Sequence, residues 1–488
     1  MSTSMTKPLT LFNSLTRSLE RFEPLHEGEA RVYSCGPTVY NYQHVGNMRA
    51  YVFADTLGRA LTYSGYDLTH VVNITDVGHL TSDADAGDDK MEKAAASAGK
   101  SAWDIARHYQ EVFEADLARL AIRKPAHPRA TDYVEAMIEW AKTIEDKHCY
   151  RLEGGLYFDV STVPEYGRLA RASTDEGEGR IETVEGKRHA ADFAIWRTTP
   201  PGENRQMEWD SPWGRGAPGW HIECSVMSAE LLGHPLDIHT GGIDHREIHH
   251  PNEIAQNQAH GDCDHSGARI WMHNNFLVDR RQGTLGKMSK SSGEFLTLQT
   301  LVDRGYHPLA FRLLCLQAHY RSELEFTWEG LGAAFTRLKR LRNAAAKLEC
   351  EVERTTAPDR EPGPEITALR AEFADAIGND LNTPVALTVL EKTFAAKKID
   401  KWERAHAVGE FGKVLGLQIF YDIAGLPRTR PASATLDEAD VEAALARRKE
   451  ARANKDFATS DAIRDELAAA GVEVMDGDPL GWDWVPQA

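Results

Sequence analysis

Apolar and polar positions run through this chain in two rhythms, and the order in which they alternate predicts the architecture. Ala30 to Cys35 (ARVYSC) is a short apolar run that reads as a buried strand, and Gly36-Pro37-Thr38 reads as a turn. A helical rhythm follows from about Met48 to Tyr63, with Val52, Phe53, Leu57, Ala60 and Leu61 on its apolar positions and Gly65 as the stop. Leu68 to Ile74 is the next strand. Strand, glycine turn, helix, strand is a βαβ unit of a nucleotide-binding sheet, whose sites gather at the carboxyl ends of the strands. No GxGxxG is present, so a dinucleotide site is not supported. An amphipathic helix is predicted from Ser101 to Leu120. Residues 125–215, with GGLYFDV, read as shorter strands and loops inserted between two halves of the sheet.

The second half begins near Trp213. Gly219 to Cys224 opens a helical run, and Leu236 and Ile238 form a strand that leads into Thr240-Gly241-Gly242. A helix with Ile254 and Ala255 on one side follows. From about Thr300 the reading is helical, with a basic helix at Arg337-Leu338-Lys339-Arg340-Leu341-Arg342. Its basic face is either solvated or lies where an RNA runs. A proline-rich linker (426–434) precedes a last compact unit, and no internal repeat is visible.

Composition narrows the class. The chain has 488 residues, enough for several domains, with 42% hydrophobic and 27% charged residues. It has no apolar run of membrane-spanning length, and its N-terminus lacks the apolar core of a signal peptide. The six cysteines are scattered, which suits a reducing cytoplasm where cysteine serves as ligand, nucleophile or packed thiol. A net charge of −18 argues against wholesale nucleic-acid binding but leaves room for a local basic surface.

Three stretches carry candidate chemistry. In DIHTGGIDHREIHHPNEIAQ, glycines after a strand let backbone amides approach a phosphate or sugar. His249 and Glu253 stand four apart at a helix start, so they share a face and make half of a zinc site; Pro251 is tolerated in that first turn. The loop GTLGKMSKSS (residues 283–292) holds Lys287 and Lys290, which can close on a polyphosphate. By contrast, TSDADAGDD (residues 81–89) fails as a calcium loop. Gly87, Asp88 and Ala94 fall where a ligand, a glycine and a bidentate glutamate belong, so it reads as a solvated acidic loop.

Taken together, CGPTVYNYQHVGN, NITDVGHL, PGWHIECS, DIHTGGIDHREIHHPNEIAQ, KMSKS and the C-terminal unit resemble the cysteinyl-tRNA synthetase family along nearly the whole chain. HVGN and KMSKS resemble the two signatures of class I aminoacyl-tRNA synthetases. The resemblance implies a Rossmann-like parallel-sheet catalytic domain split by a connective insertion, then an α-helical bundle and a small C-terminal α+β unit. The implied divisions are residues 1–124 and 216–285 for the catalytic halves, 125–215 for the insertion and 286–335 for the KMSKS and stem-contact region. Residues 336–425 would be the tRNA-binding bundle and 436–488 the anticodon unit.

It also implies site residues. Cys35, Cys224, His249 and Glu253 match the family's zinc ligands; taken singly, either cysteine reads better as a packed core thiol, and the joint match of four ligands with both signatures selects the metal. His44, Asn47, Lys287 and Lys290 match catalytic positions. Gly36, Thr38, Gly241, Gly242 and Asp244 join His44, Asn47 and Lys290 around ATP, while Gly36, Thr75 and Trp220 fall near the cysteine. Asn47 stands where the first signature usually has His; it donates hydrogen bonds but carries no charge. Arg452, Asp461 and Asp476 match anticodon-contacting positions, with Arg452, Asp456, Phe457 and Asp461 expected along one helix. The implied cofactors are one Zn2+ per chain and Mg2+ with ATP. The implied partners are L-cysteine, ATP and tRNA(Cys), for a cytoplasmic monomer. Rival readings are a cysteine:glucosaminyl-inositol ligase, a non-catalytic synthetase-like protein and a zinc hydrolase. The C-terminal unit, the intact KMSKS and the absence of HExxH count against them in that order.

Overall fold

The computed structural model describes residues 8–77, 89–170, 185–261, 265–281, 284–287, 295–352, 361–420, 428–477 and 480–487. An N-terminal hairpin, β1 (Thr10–Asn13) and β2 (Ser18–Arg21), leads into β3 (Glu29–Ser34). Helix α1 (Val45–Tyr63) then crosses to β4 (Asp67–Val72). It starts earlier than its apolar rhythm suggests because the His44 imidazole accepts the Asn47 amide as an N-cap. Helices α2 (Lys90–Ala98) and α3 (Ala102–Arg119) follow.

The insertion differs from its reading as strands and loops. It contains a 15-residue helix, α4 (Val134–His148), packed against the antiparallel strands β5 (Cys149–Leu152), β6 (Gly155–Phe158), β7 (Phe193–Thr198) and β8 (Gly216–Pro218). Val134, Met137, Trp140, Ala141 and Ile144 are the apolar stripe that makes it a helix.

The chain then returns to the first sheet through α5 (Trp220–Leu232), β9 (Leu236–Gly242), α6 (His249–Gly261) and β10 (Ala268–Asn274). The sheet order is β10-β9-β3-β4, all parallel, with Val32 opposite Ile238 and Val71 opposite Tyr33. Val32, Tyr33 and Ile238 are fully buried, as strands of a parallel sheet covered on both faces must be. All four strands therefore end at one edge, and the residues just beyond those ends face one another.

Beyond the sheet, β11 (Leu277–Arg281), β12 (Thr284–Lys287) and β13 (Leu324–Glu325) form a small sheet beside α7 (Leu298–Asp303) and α8 (Pro308–Leu316). The bundle α9 (Trp328–Val352), α10 (Pro364–Gly378), α11 (Thr383–Ala395) and α12 (Lys401–Leu415) follows. Arg312 is buried at its seam with α1, donating to Asp55 at 2.6 Å and to the carbonyls of Leu120 and Leu415.

The last unit is α13 (Glu438–Ala453), α14 (Phe457–Ala469) and the hairpin β14 (Val472–Val474) with β15 (Trp482–Trp484). It has its own core of Val441, Ile463, Leu467, Trp482 and Trp484. Here one expectation fails: Arg452 lies on α13, but Phe457 and Asp461 lie on α14. Lys455 at φ +63 and the Asp456 cap break the helix between them. The unit is tied to the bundle by the Lys339–Asp483 ion pair at 2.7 Å. Among the described residues, no helix is long and apolar enough to cross a membrane.

Candidate active site and metal centre

The carboxyl edge of the sheet opens on a cavity of about 260 Å³. Cys35 follows β3, Asn73 and Thr75 follow β4, and Asp244 follows β9; all line the cavity with Gly36, Thr38, His44, Asn47, Trp220, Cys224, Gly242 and His249. Gly36 has to be glycine, because a Cβ there would run into the Asn73 carbonyl. Its amide instead donates to Asn73 Oδ1 at 2.8 Å. Thr75 Oγ1 donates to the buried Glu223 carboxylate at 2.8 Å, which fixes its orientation toward the cavity wall. Trp220 lies 4.3 Å from the His249 ring, centroid to centroid.

On the opposite wall, His44 Nδ1 accepts the Asn47 amide at 3.2 Å, so its Nε2 carries the hydrogen. The Asn47 side-chain amide donates to Gln43 Oε1 at 3.0 Å. The segment just after the KMSKS stretch pairs with this wall, His44 opposite Thr297. Lys290 lies outside the described residues. Lys287 ends β12, which pairs with β11.

Beneath the cavity floor sits a buried cluster. Ligand-type atoms of Cys35, Cys224, His249 and Glu253 all lie within 4.8 Å of one another. His249 Nε2 is 3.0 Å from Glu253 Oε1, and Cys35 Sγ is 4.0 Å from the same oxygen. Burial would raise the Glu253 carboxyl, but His239 and His249 hold it down to about 2. Burial would lower His249, yet Glu253 and Cys224 raise it to about 10. The Cys35 thiol hydrogen-bonds to Cys224 and lowers it to about 6, while burial pushes Cys35 up. Two thiols, an imidazole and a carboxylate stripped of solvent fit a borderline-soft divalent ion in a tetrahedral set, which on binding would displace the protons that His249 and Cys35 otherwise hold.

Sequence reasoning missed a layer of histidines. His239 Nε2 meets Glu253 Oε2 at 2.8 Å, and His250 Nε2 lies 3.3 Å from Cys35 Sγ. His250 Nδ1 meets His273 Nε2 at 2.7 Å, and His273 Nδ1 meets Ser14 Oγ at 2.8 Å. Cys35, His239, His250 and Glu253 thus form a second set of close ligand atoms. The available signal was the strand alternation that puts His239 one position from Ile238, and the His249-His250 doublet. Of the two sets, the first exposes three donors to the cavity (Cys35, Cys224, His249), whereas the second exposes only Cys35.

Comparison with known proteins agrees with this geometry. A family model described as "tRNA synthetases class I (C) catalytic domain" matches residues 21–336. A second, "Cysteinyl-tRNA ligase anticodon binding domain", matches residues 438–479. A cysteine–tRNA ligase of Novosphingobium aromaticivorans is 65% identical, over 98% of this chain and 97% of that protein. The chain belongs to the cysteinyl-tRNA synthetase family. A second member, from Zymomonas mobilis, is 52% identical over 98% of both chains. Among solved structures, a leucyl-tRNA synthetase complex of Agrobacterium radiobacter (TM-score 0.56, 11% identity, 81% of this chain and 84% of that one) shares the fold. So does the methionyl-tRNA synthetase of Mycobacterium tuberculosis (TM-score 0.52, 16% identity, 80% and 90%). The Rossmann-like class I architecture is therefore established for this chain.

Other positions suggested by the family resemblance fall as follows. Gly242 and Asp244 line the cavity, while Gly241 is buried behind it, where a Cβ would press on the His245 and His250 rings at 2.7 Å. In the C-terminal unit, Asp476 accepts both arms of Arg448 at 2.7 Å and Arg452 Nη1 at 3.0 Å. Asp461 lies beside Arg448 and pairs with Arg464 at 3.7 Å. Phe457 is 62% exposed, so its ring is not a core residue.

Proposed function

We propose that this family member activates L-cysteine with ATP and transfers it to the 3′ end of tRNA(Cys), with zinc held by Cys35, Cys224, His249 and Glu253. One observation carries the reading: three of those four donors open on the same cavity that His44, Asn47 and Asp244 line. A bound zinc would supply a thiolate-seeking Lewis acid there, which favours a cysteine side chain over the hard hydroxyl of serine. Shape alone separates such near-isosteres poorly.

The protein's own groups then position the reactants. Thr75, oriented by Glu223, and Trp220 border the amino-acid end. Gly36, Thr38, Gly242 and Asp244 border the nucleotide end, with Gly241 shaping the turn behind. The cysteine carboxylate attacks the α-phosphate of ATP in line, giving cysteinyl-adenylate and pyrophosphate. His44 offers its Nε2 hydrogen and Asn47 an amide oriented by Gln43, so both can donate to phosphate oxygens as charge shifts. Lys287 and Lys290 follow the pyrophosphate as the loop closes, and Mg2+ accompanies ATP. The 2′-hydroxyl of the terminal adenosine of tRNA then attacks the cysteinyl carbonyl of the adenylate, which forms the ester and releases AMP.

Arg452, Asp461 and Asp476 are proposed to read anticodon bases, with residues 436–488 as that unit and 336–425 as the bundle that carries it. Residues 286–335 are the proposed stem-contact region between the catalytic halves (1–124 and 216–285, split by 125–215) and the bundle. A cytoplasmic monomer completes the proposal. The test is aminoacylation with purified tRNA and cysteine beside metal analysis. Cysteine-dependent charging with about one zinc per chain is expected; charging that is equal with and without metal would overturn the zinc assignment.

A further inference from the structure

A second cavity, of about 450 Å³, lies between α1, β4 and the segment that leaves α3. Tyr51, Tyr66, Leu68, Leu117, Ile122 and Pro125 make its walls apolar. Tyr51 also lines the catalytic cavity, and among the described residues no other lines both. Such a volume, with apolar walls and a few polar groups that converge, is that of a small-molecule pocket.

The polar groups converge beside Gly58 of α1. A Cβ there would stand 2.9 Å from Arg123 Nη2, 3.0 Å from Leu68 and 3.7 Å from His70 Nδ1. Glycine inside a helix is destabilising relative to alanine, and here it leaves room for the guanidinium. Arg123 Nη1 donates to Thr62 Oγ1 at 3.1 Å, while Nη2 has no partner among the described residues. His70 Nε2 shares a hydrogen bond with Ser34 Oγ at 2.9 Å, and its Nδ1 likewise has none. Burial pushes His70 down to about 4, so its ring is neutral and can present an N–H. Both side chains line the cavity.

Charge decides the ligand. Asp55 also lines the cavity, but Arg312 and Arg59 hold its Oδ2 at 2.6 and 2.7 Å. The Arg123 guanidinium stands farther off, with Nε 3.7 Å from Oδ1. Three guanidiniums thus share one buried carboxylate. Of the other charged lining residues, Asp67 is exposed, and Lys124 pairs with Glu114 at 3.4 Å. Set against Asp67, the surplus is one positive charge, which a single carboxylate balances and a doubly charged phosphate would exceed. A planar carboxylate also matches the edge of a guanidinium, and the Tyr51 and Tyr66 rings suit a flat body.

We propose that this cavity binds a small molecule with one carboxylate on an aromatic body, the carboxylate on Arg123 and His70 and the body against Tyr51 and Leu117. Apart from the shared wall at Tyr51, the site is separate from the catalytic cavity, and none of its polar groups serves the proposed ligation.

The test titrates the full chain by calorimetry with 2-naphthoate, with uncharged 2-naphthamide and with inorganic phosphate. The Kd for 2-naphthoate should be about 1 mM or tighter, and saturating cysteine and ATP should leave it unchanged. 2-Naphthamide should bind about tenfold more weakly, and Arg123→Gln should weaken 2-naphthoate by about the same factor. Arg123→Lys, which keeps the charge, should recover part of that loss. Leu68→Trp should fill the cavity and abolish binding, with circular dichroism confirming that each variant is folded. Wild type that does not bind 2-naphthoate, or folded Arg123→Gln that binds it equally well, would overturn the proposal. Displacement by cysteine or ATP would move the probe into the catalytic cavity and overturn it too. Phosphate binding as tight as that of 2-naphthoate would leave a bare anion site and remove the aromatic half of the proposal. Failure of the wild type to charge tRNA, with 2-naphthoate bound as expected, would overturn the proposed function and leave this site standing.

Discussion

Glu253 and Asp476 are both carboxylates held down to about 2, yet Glu253 is fully buried and the Asp476 side chain is 56% exposed. Glu253 owes its state to His239 and His249 acting against burial, inside a packed helix–sheet joint. Asp476 owes its state to hydrogen bonds from Arg448 and Arg452 on a neighbouring helix, in solvent. The buried cluster has its geometry imposed from every side, so it can hold a metal without rearranging. The exposed cluster is an interchangeable set of ion pairs, which an RNA base edge can enter by replacing one partner. Rigid chemistry at one end and exchangeable recognition at the other is the division the two regions express.

The largest effect should come from the buried end. Cys224→Ser is expected to remove most of the metal and lower cysteine-dependent exchange by more than about 10²-fold, since ligand loss exceeds the usual 10–100-fold loss on changing a supporting residue. Metal content and exchange rate measured on one preparation check it. Deletion of residues 436–488 comes next. Because that unit has a separate core, exchange should survive while transfer to tRNA falls by about 10²-fold or more. Transfer that continued undiminished would leave the exposed arginine–aspartate set without an RNA role.

His250→Ala sharpens the choice between the two ligand sets. It should weaken zinc by about tenfold but leave one metal per chain at saturation, as expected for a residue that orients Cys35 without being a ligand. Loss as complete as in Cys224→Ser would move the ion to Cys35, His239, His250 and Glu253. Lys290→Ala should slow exchange with little change in cysteine binding, because its charge meets phosphate only on closure; an unchanged exchange rate would remove it from the mechanism.

The smallest effect lies at Asp476. Its folded pKa is depressed, so its ion pairs contribute stability that is present above about pH 4, the unfolded carboxyl value, and lost as pH falls toward 2. Melting of the C-terminal unit should be flat from pH 7 to 5 and decline only below about 4, with the decline reduced in Asp476→Asn. The exposure of the pair keeps the change small.

Much of this was legible in the sequence because the buried end obeys periodicity. Strands that end just before Cys35 and Asn73 and at Gly242 announce themselves by apolar runs, and parallel strands bring their ends together. Single-strand patterns say less about side-chain contacts across the sheet. His239, His250 and His273 meet because α6 packs on β9 and β10, and no local spacing contains that. The insertion helix α4 was lost for the opposite reason: its glycine-rich, strand-like neighbours coloured the reading of the whole segment. The break between α13 and α14 follows from a positive φ at Lys455 and a cap at Asp456, a turn of non-glycine residues that carries no strong signal. The basic run 337–342 looked like one face, and the structure divides it among a bundle contact at Arg337, a tie to the last unit at Lys339, an exposed Arg340 and a buried Arg342.

The central claim is that a metal held at the buried cluster selects the amino acid in the adjoining cavity. The direct measurement is ATP–pyrophosphate exchange with cysteine and with serine, on the same protein as purified, stripped of metal and reloaded with zinc. The account predicts strong preference for cysteine in the loaded forms, loss of that preference with the metal, and its return on reloading. A stripped protein that still preferred cysteine to the same degree would contradict it.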